Sequence, residues 1–156
     1  MAYARTIIPI GTRRFVIKFK QWCHDYDYIG FVLGASQPLI EHDGVEFGYQ
    51  RQRPGTDTTV EDIYYRGDFG EGMIPGKALM RRWVGHRIEC DGTNVRWYQN
   101  NHLMLEGDAQ RDLSGGYFGI RQRYERDTRY DDARIVIEEE DRPKRPNFLF
   151  IAIDDL

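Results

Sequence analysis

Tyr117, Gly119, Arg121 and Arg123 occupy alternate positions of one strand-like run. If Phe118 and Ile120 point into a core, the four share the opposite face. A guanidinium fork grips a carboxylate or sulfate through paired hydrogen bonds, and a tyrosine ring stacks on a sugar. Arg121 and Arg123 would emerge about 6.5–7 Å apart along the strand. Gly119 between them admits close approach of a ligand. Tyr124, Arg126 and Arg129 follow in what reads as a loop. This is chemistry for holding an acidic oligosaccharide. The plainer reading is a solvated face whose arginines pair with Glu125, Asp127, Asp131 and Asp132. Tyr64, Tyr65, Trp22 and Trp97 are further candidates for a concave ligand face, and core or sheet packing is the plainer role of each.

Groups for bond cleavage are harder to assemble. Glycan hydrolysis needs two carboxylates across one scissile bond, which a strand supplies by alternation. Glu89 and Asp91 alternate, but Asp91 opens an Asp-Gly turn that explains it structurally. Glu46 stands between apolar neighbours without an alternate acid, and adjacent Glu61 and Asp62 must point to opposite faces. His24, His42, His86 and His102 are scattered, and no zinc spacing joins them to Cys23 or Cys90. The two cysteines fit either a disulfide in an oxidising compartment or two buried thiols. Asp25, Asp27, Asp43 and Asp91 are candidates for a structural calcium, with nothing to select among them.

The elements that must position these groups are strands. The chain has 156 residues, 40% hydrophobic and 30% charged, with 16 glycines. That is one domain with a small extra piece and room for a core. No apolar run reaches membrane-spanning length. A net charge of -3 disfavours nonspecific nucleic-acid binding. Only Lys18, Lys20, Lys77 and Lys144 of the 22 basic residues are lysine, a bias that suits an acidic glycan or reflects base composition.

Period-two alternation places Phe15, Ile17 and Phe19 on one face of a strand, and Val45, Phe47 and Tyr49 on one face of another. Residues 59–66 form a further strand, and residues 67–77 read as a Gly-rich surface loop. Residues 83–90, 95–99 and 102–105 read as a meander turned at Asp91-Gly92-Thr93-Asn94 and Asn100-Asn101. Residues 117–123 and 134–139 complete a set spaced as in a β-sandwich. Residues 141–146 form a polar, Pro-bearing linker.

The run R-I-E-C-D-G-T-N-V-R-W-Y-Q-N-N-H-L-M, residues 87–104, resembles a hairpin of the concanavalin A-like lectin/glucanase (laminin-G-like) sandwich. G-Y-F-G-I, residues 116–120, and Y-D-D-A-R-I, residues 130–135, resemble its later strands. The resemblance implies an all-β jelly roll of two antiparallel sheets over residues 1–140. It is unspecific for function, and because the first strand of such sandwiches lies well before a segment like Ile7-Ile8-Pro9, it implies a truncated N-terminus. The E-x-D-x-E pattern of glycosidases with this fold is absent, as is the Q-[IV]-H element of its alginate lyases.

Residues 145–156, R-P-N-F-L-F-I-A-I-D-D-L, resemble the first strand of a sulfatase catalytic domain. That resemblance assigns Asp154 and Asp155 to a calcium or magnesium ion in an intact sulfatase domain. It makes residues 147–156 the start of a second, α/β unit opening on a parallel strand. The sulfatase nucleophile motif is missing, so this chain is not expected to release sulfate alone. The expected function is a noncatalytic carbohydrate-binding module of a sulfatase-associated polypeptide, exported as such proteins are, although residues 1–8 do not read as a signal peptide. The alternatives are a glycan hydrolase or lyase of the same fold, and a structural brace for the sulfatase domain.

Overall fold

A computed structural model describes residues 6–25, 28–37, 43–51, 61–76, 78–123, 126–138 and 148–150. Twelve strands and no helix occur among them. The first sheet contains β1 (Thr6–Ile7), β3 (Tyr28–Ala35), β4 (Val45–Arg51), β5 (Glu61–Gly67), β6 (Gly72–Pro75) and β10 (Tyr117–Arg123). The second contains β2 (Arg14–Asp25), β7 (Trp83–Asp91), β8 (Asn94–Gln99), β9 (His102–Asp108), β11 (Arg126–Glu138) and β12 (Phe148–Phe150). Their orders are β1-β10-β3-β4-β5-β6 and β12-β11-β2-β7-β8-β9. Every ladder is antiparallel, and the architecture is the expected jelly-roll sandwich.

The alternation explains the core. Phe15, Ile17 and Phe19 of β2 meet Ile29, Phe31 and Leu33 of β3 and Val45, Phe47 and Tyr49 of β4 between the sheets. Trp97 of β8 sits at the centre with none of its surface exposed. Its ring lies 5.0–5.5 Å from those of Phe31, Phe47 and Tyr49. Turn chemistry sets the meander: Asn100 and Asn101 both take positive φ, which a two-residue hairpin turn requires. Gly92 does the same in the turn that brings Cys90 opposite Val95.

Three expectations are corrected. Residues 67–77 are not wholly a loop, because β6 pairs with β5 and sets Ile74 opposite Ile63. Four residues are too few for alternation to stand out among glycines. Strand β11 begins at Arg126 rather than Arg134, so Arg126 and Arg129 lie in a ladder with β2 and not in a loop. A bulge between Asp131 and Arg134, with Asp132 at φ 53°, and a polar sequence hid this continuation. Residues 148–150 pair antiparallel with β11, whereas a parallel strand was expected. The linker 141–146 and residues 151–156, Asp154 and Asp155 included, lie outside the described residues.

The register also decides between the two readings of the cysteines. Cys90 stands opposite Phe15, and Cys23 lies eight positions further along β2. That is roughly 26 Å at about 3.3 Å per residue, far beyond disulfide reach. Both are buried free thiols.

Candidate functional site

Val45, Phe47 and Tyr49 face the core, so Glu46 and Gly48 face out of the first sheet. Register builds this outer face from rows that cross four strands. One row runs Gly119, Val32, Glu46, Arg66; the next runs Arg121, Gly30, Gly48, Tyr64 and on to Met73 in β6. Outer faces of sandwiches are normally solvated, yet Glu46 is only 2% exposed. Side chains from neighbouring strands close over it.

Tyr64 donates its hydroxyl to Glu46 Oε1 at 3.0 Å, and Tyr28 donates to the same oxygen. Arg66 forks onto the carboxylate through Nε to Oε2 and Nη2 to Oε1, both at 2.8 Å. Its Nη2 also donates to the Tyr28 hydroxyl. Arg121 approaches from the other side, with Nη1 3.6 Å from Glu46 Oε2. The Tyr28 and Tyr64 rings stack at 4.8 Å. Arg66 lies 5.6 and 5.4 Å from the two ring centres, and Arg121 lies 5.5 Å from that of Tyr28. Gly30 makes this packing possible: a Cβ there would stand 2.1 Å from the Tyr64 hydroxyl and 2.9 Å from Glu46 Oε1.

The protonation states follow. Burial pushes the Glu46 carboxyl up, but hydrogen bonds from Arg66 and Tyr28 and the two arginine charges outweigh it, so its pKa falls below the ordinary value. Burial and then the Glu46 hydrogen bond push Tyr28 well up, and burial does the same to Tyr64. Burial opposes the charge on Arg66, but its partners, Glu46 first, raise its pKa. The cluster therefore holds one carboxylate, two neutral phenols and two guanidiniums. Glu46 has no proton to donate at neutral pH, and its oxygens are taken up by four donors. This arrangement suits anchoring an anion better than acid–base catalysis.

Gly119 opens the cluster to solvent. A Cβ at this position would meet nothing within 4 Å, beside Arg121 and half-buried Tyr117. Arg123 stands opposite Tyr28 in the register, and its side chain lies outside the described residues, as does Tyr124. Tyr64 thus belongs to the same face as Arg121. Trp97 does not: it is a core residue screened by both sheets, so its expected contact with a ligand is withdrawn. Trp22 lies on the second sheet, under the Arg129 guanidinium at 5.3 Å. Tyr65 packs against the core.

Glu46, Arg66 and Tyr28 escaped the sequence reading as a site. One signal pointed to them, a lone acid facing outward between two core residues, with Gly48 two positions on. Of the suggested calcium ligands, Asp27 and the Asp25 side chain lie outside the described residues. Asp43 accepts from Ser36 and Arg111, and Asp91 pairs with Arg14 at 3.0 Å. Among the described residues no three His, Cys, Asp or Glu side chains gather into a metal-sized group.

No protein-family model and no curated protein matches this chain. Solved structures do match. Congerin II, crystallised with lactose and MES, superposes with a TM-score of 0.60 over 86% of this chain and 98% of its own, at 13% identity. Sheep galectin-11, in complex with glycerol, gives 0.52 over 82% and 95%, at 9% identity. The carbohydrate-binding module CBM66 from Bacillus subtilis gives 0.52 over 79% and 74%, at 11% identity. At these identities the likeness establishes the fold, a lectin-type β-sandwich.

Proposed function

We propose that this chain is a noncatalytic carbohydrate-binding module whose ligand, an acidic or sulfated glycan, docks on the outer face of the first sheet. The observation that carries this is the charge arrangement around Glu46. Two guanidiniums converge on one buried carboxylate beside the open surface at Gly119. Glu46 holds Arg66 by a fork and Tyr28 by a hydrogen bond, so the cationic surface is ordered before any ligand arrives. A ligand carboxylate or sulfate meets Arg121 from the Gly119 side, with Tyr117 as a stacking surface. The lectin-type fold, shared with a lactose-liganded congerin and with CBM66, supports a glycan as the partner.

The finer reading rests on the tail. The likeness of residues 145–156 to a sulfatase strand supports a module that accompanies a sulfatase in an exported, glycan-processing polypeptide. Asp154 and Asp155 would serve a calcium or magnesium ion only in that intact domain. The test is glycan-array and calorimetric binding of wild type and of an Arg121→Ala, Arg123→Ala double variant. Wild type should prefer uronate-rich or sulfated glycans, and both the double variant and raised salt should weaken binding. Equal binding by the variant excludes this face. No glycan binding by wild type favours a brace, and turnover of a glycan favours a hydrolase or lyase.

A further inference from the structure

The interior of the sandwich is not wholly apolar. At one end, Gln21 of β2, His86 of β7 and Gln99 of β8 are 5%, 3% and 6% exposed. His86 and Gln99 are cross-strand partners and point the same way, into the core. The His86 ring stacks on Phe19 at 4.9 Å and on Trp97 at 6.0 Å, which fixes its plane. Trp97 Nε1–H donates to His86 Nδ1 at 3.2 Å. Indole nitrogen is only a donor, so Nδ1 is the acceptor and the neutral ring carries its proton on Nε2. Burial supports the neutral form by pushing the His86 pKa down to about 3.

Among the described residues that Nε2–H has no partner, and neither has Gln99 Oε1. The two are complementary, a donor and an acceptor. Both side chains line one void of about 10 Å³, together with Gln21, Tyr49, Cys23 and Ala78. That volume is about the minimum that admits one water molecule, and orphaned polar atoms are what distinguish a wet cavity from a dry one.

We propose that this void is a specific binding site for one water molecule, which accepts from His86 Nε2–H and donates to Gln99 Oε1. The site lies between the sheets, since Tyr49 belongs to the first and His86 and Gln99 to the second. The water locks the Nε2–H tautomer and lets Trp97, the largest core side chain, keep its own hydrogen bond.

The experiment combines a crystal structure at better than about 2 Å with solution NMR. The expected result is one ordered oxygen within hydrogen-bond distance of His86 Nε2 and Gln99 Oε1. Long-range ¹H–¹⁵N spectra should report the Nε2–H tautomer, and a water–protein cross-peak should reach the His86 ring. Gln99→Met, which removes the accepting amide and keeps the His86 ring in place, should abolish that cross-peak. Empty density between ordered His86 and Gln99 side chains, an Nδ1–H tautomer, or a cross-peak that survives Gln99→Met would overturn the proposal.

Discussion

The two outer faces of this sandwich draw on the same residue types and do opposite things with them. On the second sheet, Arg96 pairs with Glu106 at 3.0 Å and reaches Glu89 at 4.0 Å, Arg87 pairs with Glu89 at 2.7 Å, and Arg14 pairs with Asp91. Arg14, Asp91, Glu89 and Arg96 line a groove of about 290 Å³, and the pairs are part-exposed to water. On the first sheet, two tyrosines roof Glu46, whose side chain is 3% exposed, while its partner Arg66 keeps 22%. A solvated pair is screened and contributes little. A buried pair must be complete, because losing one partner strands a charge in a low-dielectric site. The difference lies in the neighbours: Gly30 leaves room for the Tyr64 hydroxyl, Gly48 lets the β3 backbone approach closely, and the second sheet shows no such roof among its described residues.

The comparison breaks most visibly at Arg66. Arg66→Ala leaves Glu46 buried without its main partner and should cost about 3–5 kcal/mol of stability in urea denaturation. Arg96→Ala on the other sheet should leave the midpoint within error. A similar loss for both would mean that burial does not separate the faces. Gly30→Ala comes next, at about 1–3 kcal/mol, because the new methyl displaces Tyr64. Gly119→Ala, where the space is open, should shift stability by no more than about 0.5 kcal/mol while leaving the fold intact. Tyr64→Phe removes one hydrogen bond to Glu46 and should cost roughly 1 kcal/mol, with binding weakened less than by loss of Arg121.

Acid titration separates the interior from the outer face. His86 has a folded pKa of about 3 against an ordinary 6.5. Between those values the unfolded chain binds the extra proton, so stability falls as pH drops below about 6.5. Glu46 is also depressed, from 4.5, and its contribution, full above that value, is lost as pH falls through the lower folded one. His86→Phe should therefore flatten the curve between about 6.5 and 4.5, and Glu46→Gln only the part below. Chemical denaturation at stepped pH reads both, and a flat wild-type curve from pH 7 to 5 would count against the buried neutral histidine.

Much of the fold was legible. The Asp-Gly and Asn-Asn turns name their own geometry, and Gly119 and Arg121 share a face because Ile120 is a core residue, while a register shift separates Tyr117 from Gly119. Strand β6 and the first half of β11 were not legible, being respectively too short and too polar to show a period. The site was half legible. Arg121 and Tyr64 were singled out separately, but nothing in either segment says that they flank one carboxylate. Trp97 misled for a simple reason: an exposed ligand platform and a core centrepiece use the same side chain.

The chain by itself determines which side chains go in and which go out, since a strand's period of two is a local property of the backbone. It likewise determines where the strands reverse, through glycines and asparagines that accept positive φ. Which outward-facing residues meet was decided by the tertiary structure. Glu46 lies 18 residues from Tyr28 and from Tyr64, and 20 from Arg66. Arg121 comes from a much later strand, and reaches Glu46 only because β10 inserts beside β3. Strand order and register answer to the packing of the whole core, and no local pattern encodes them.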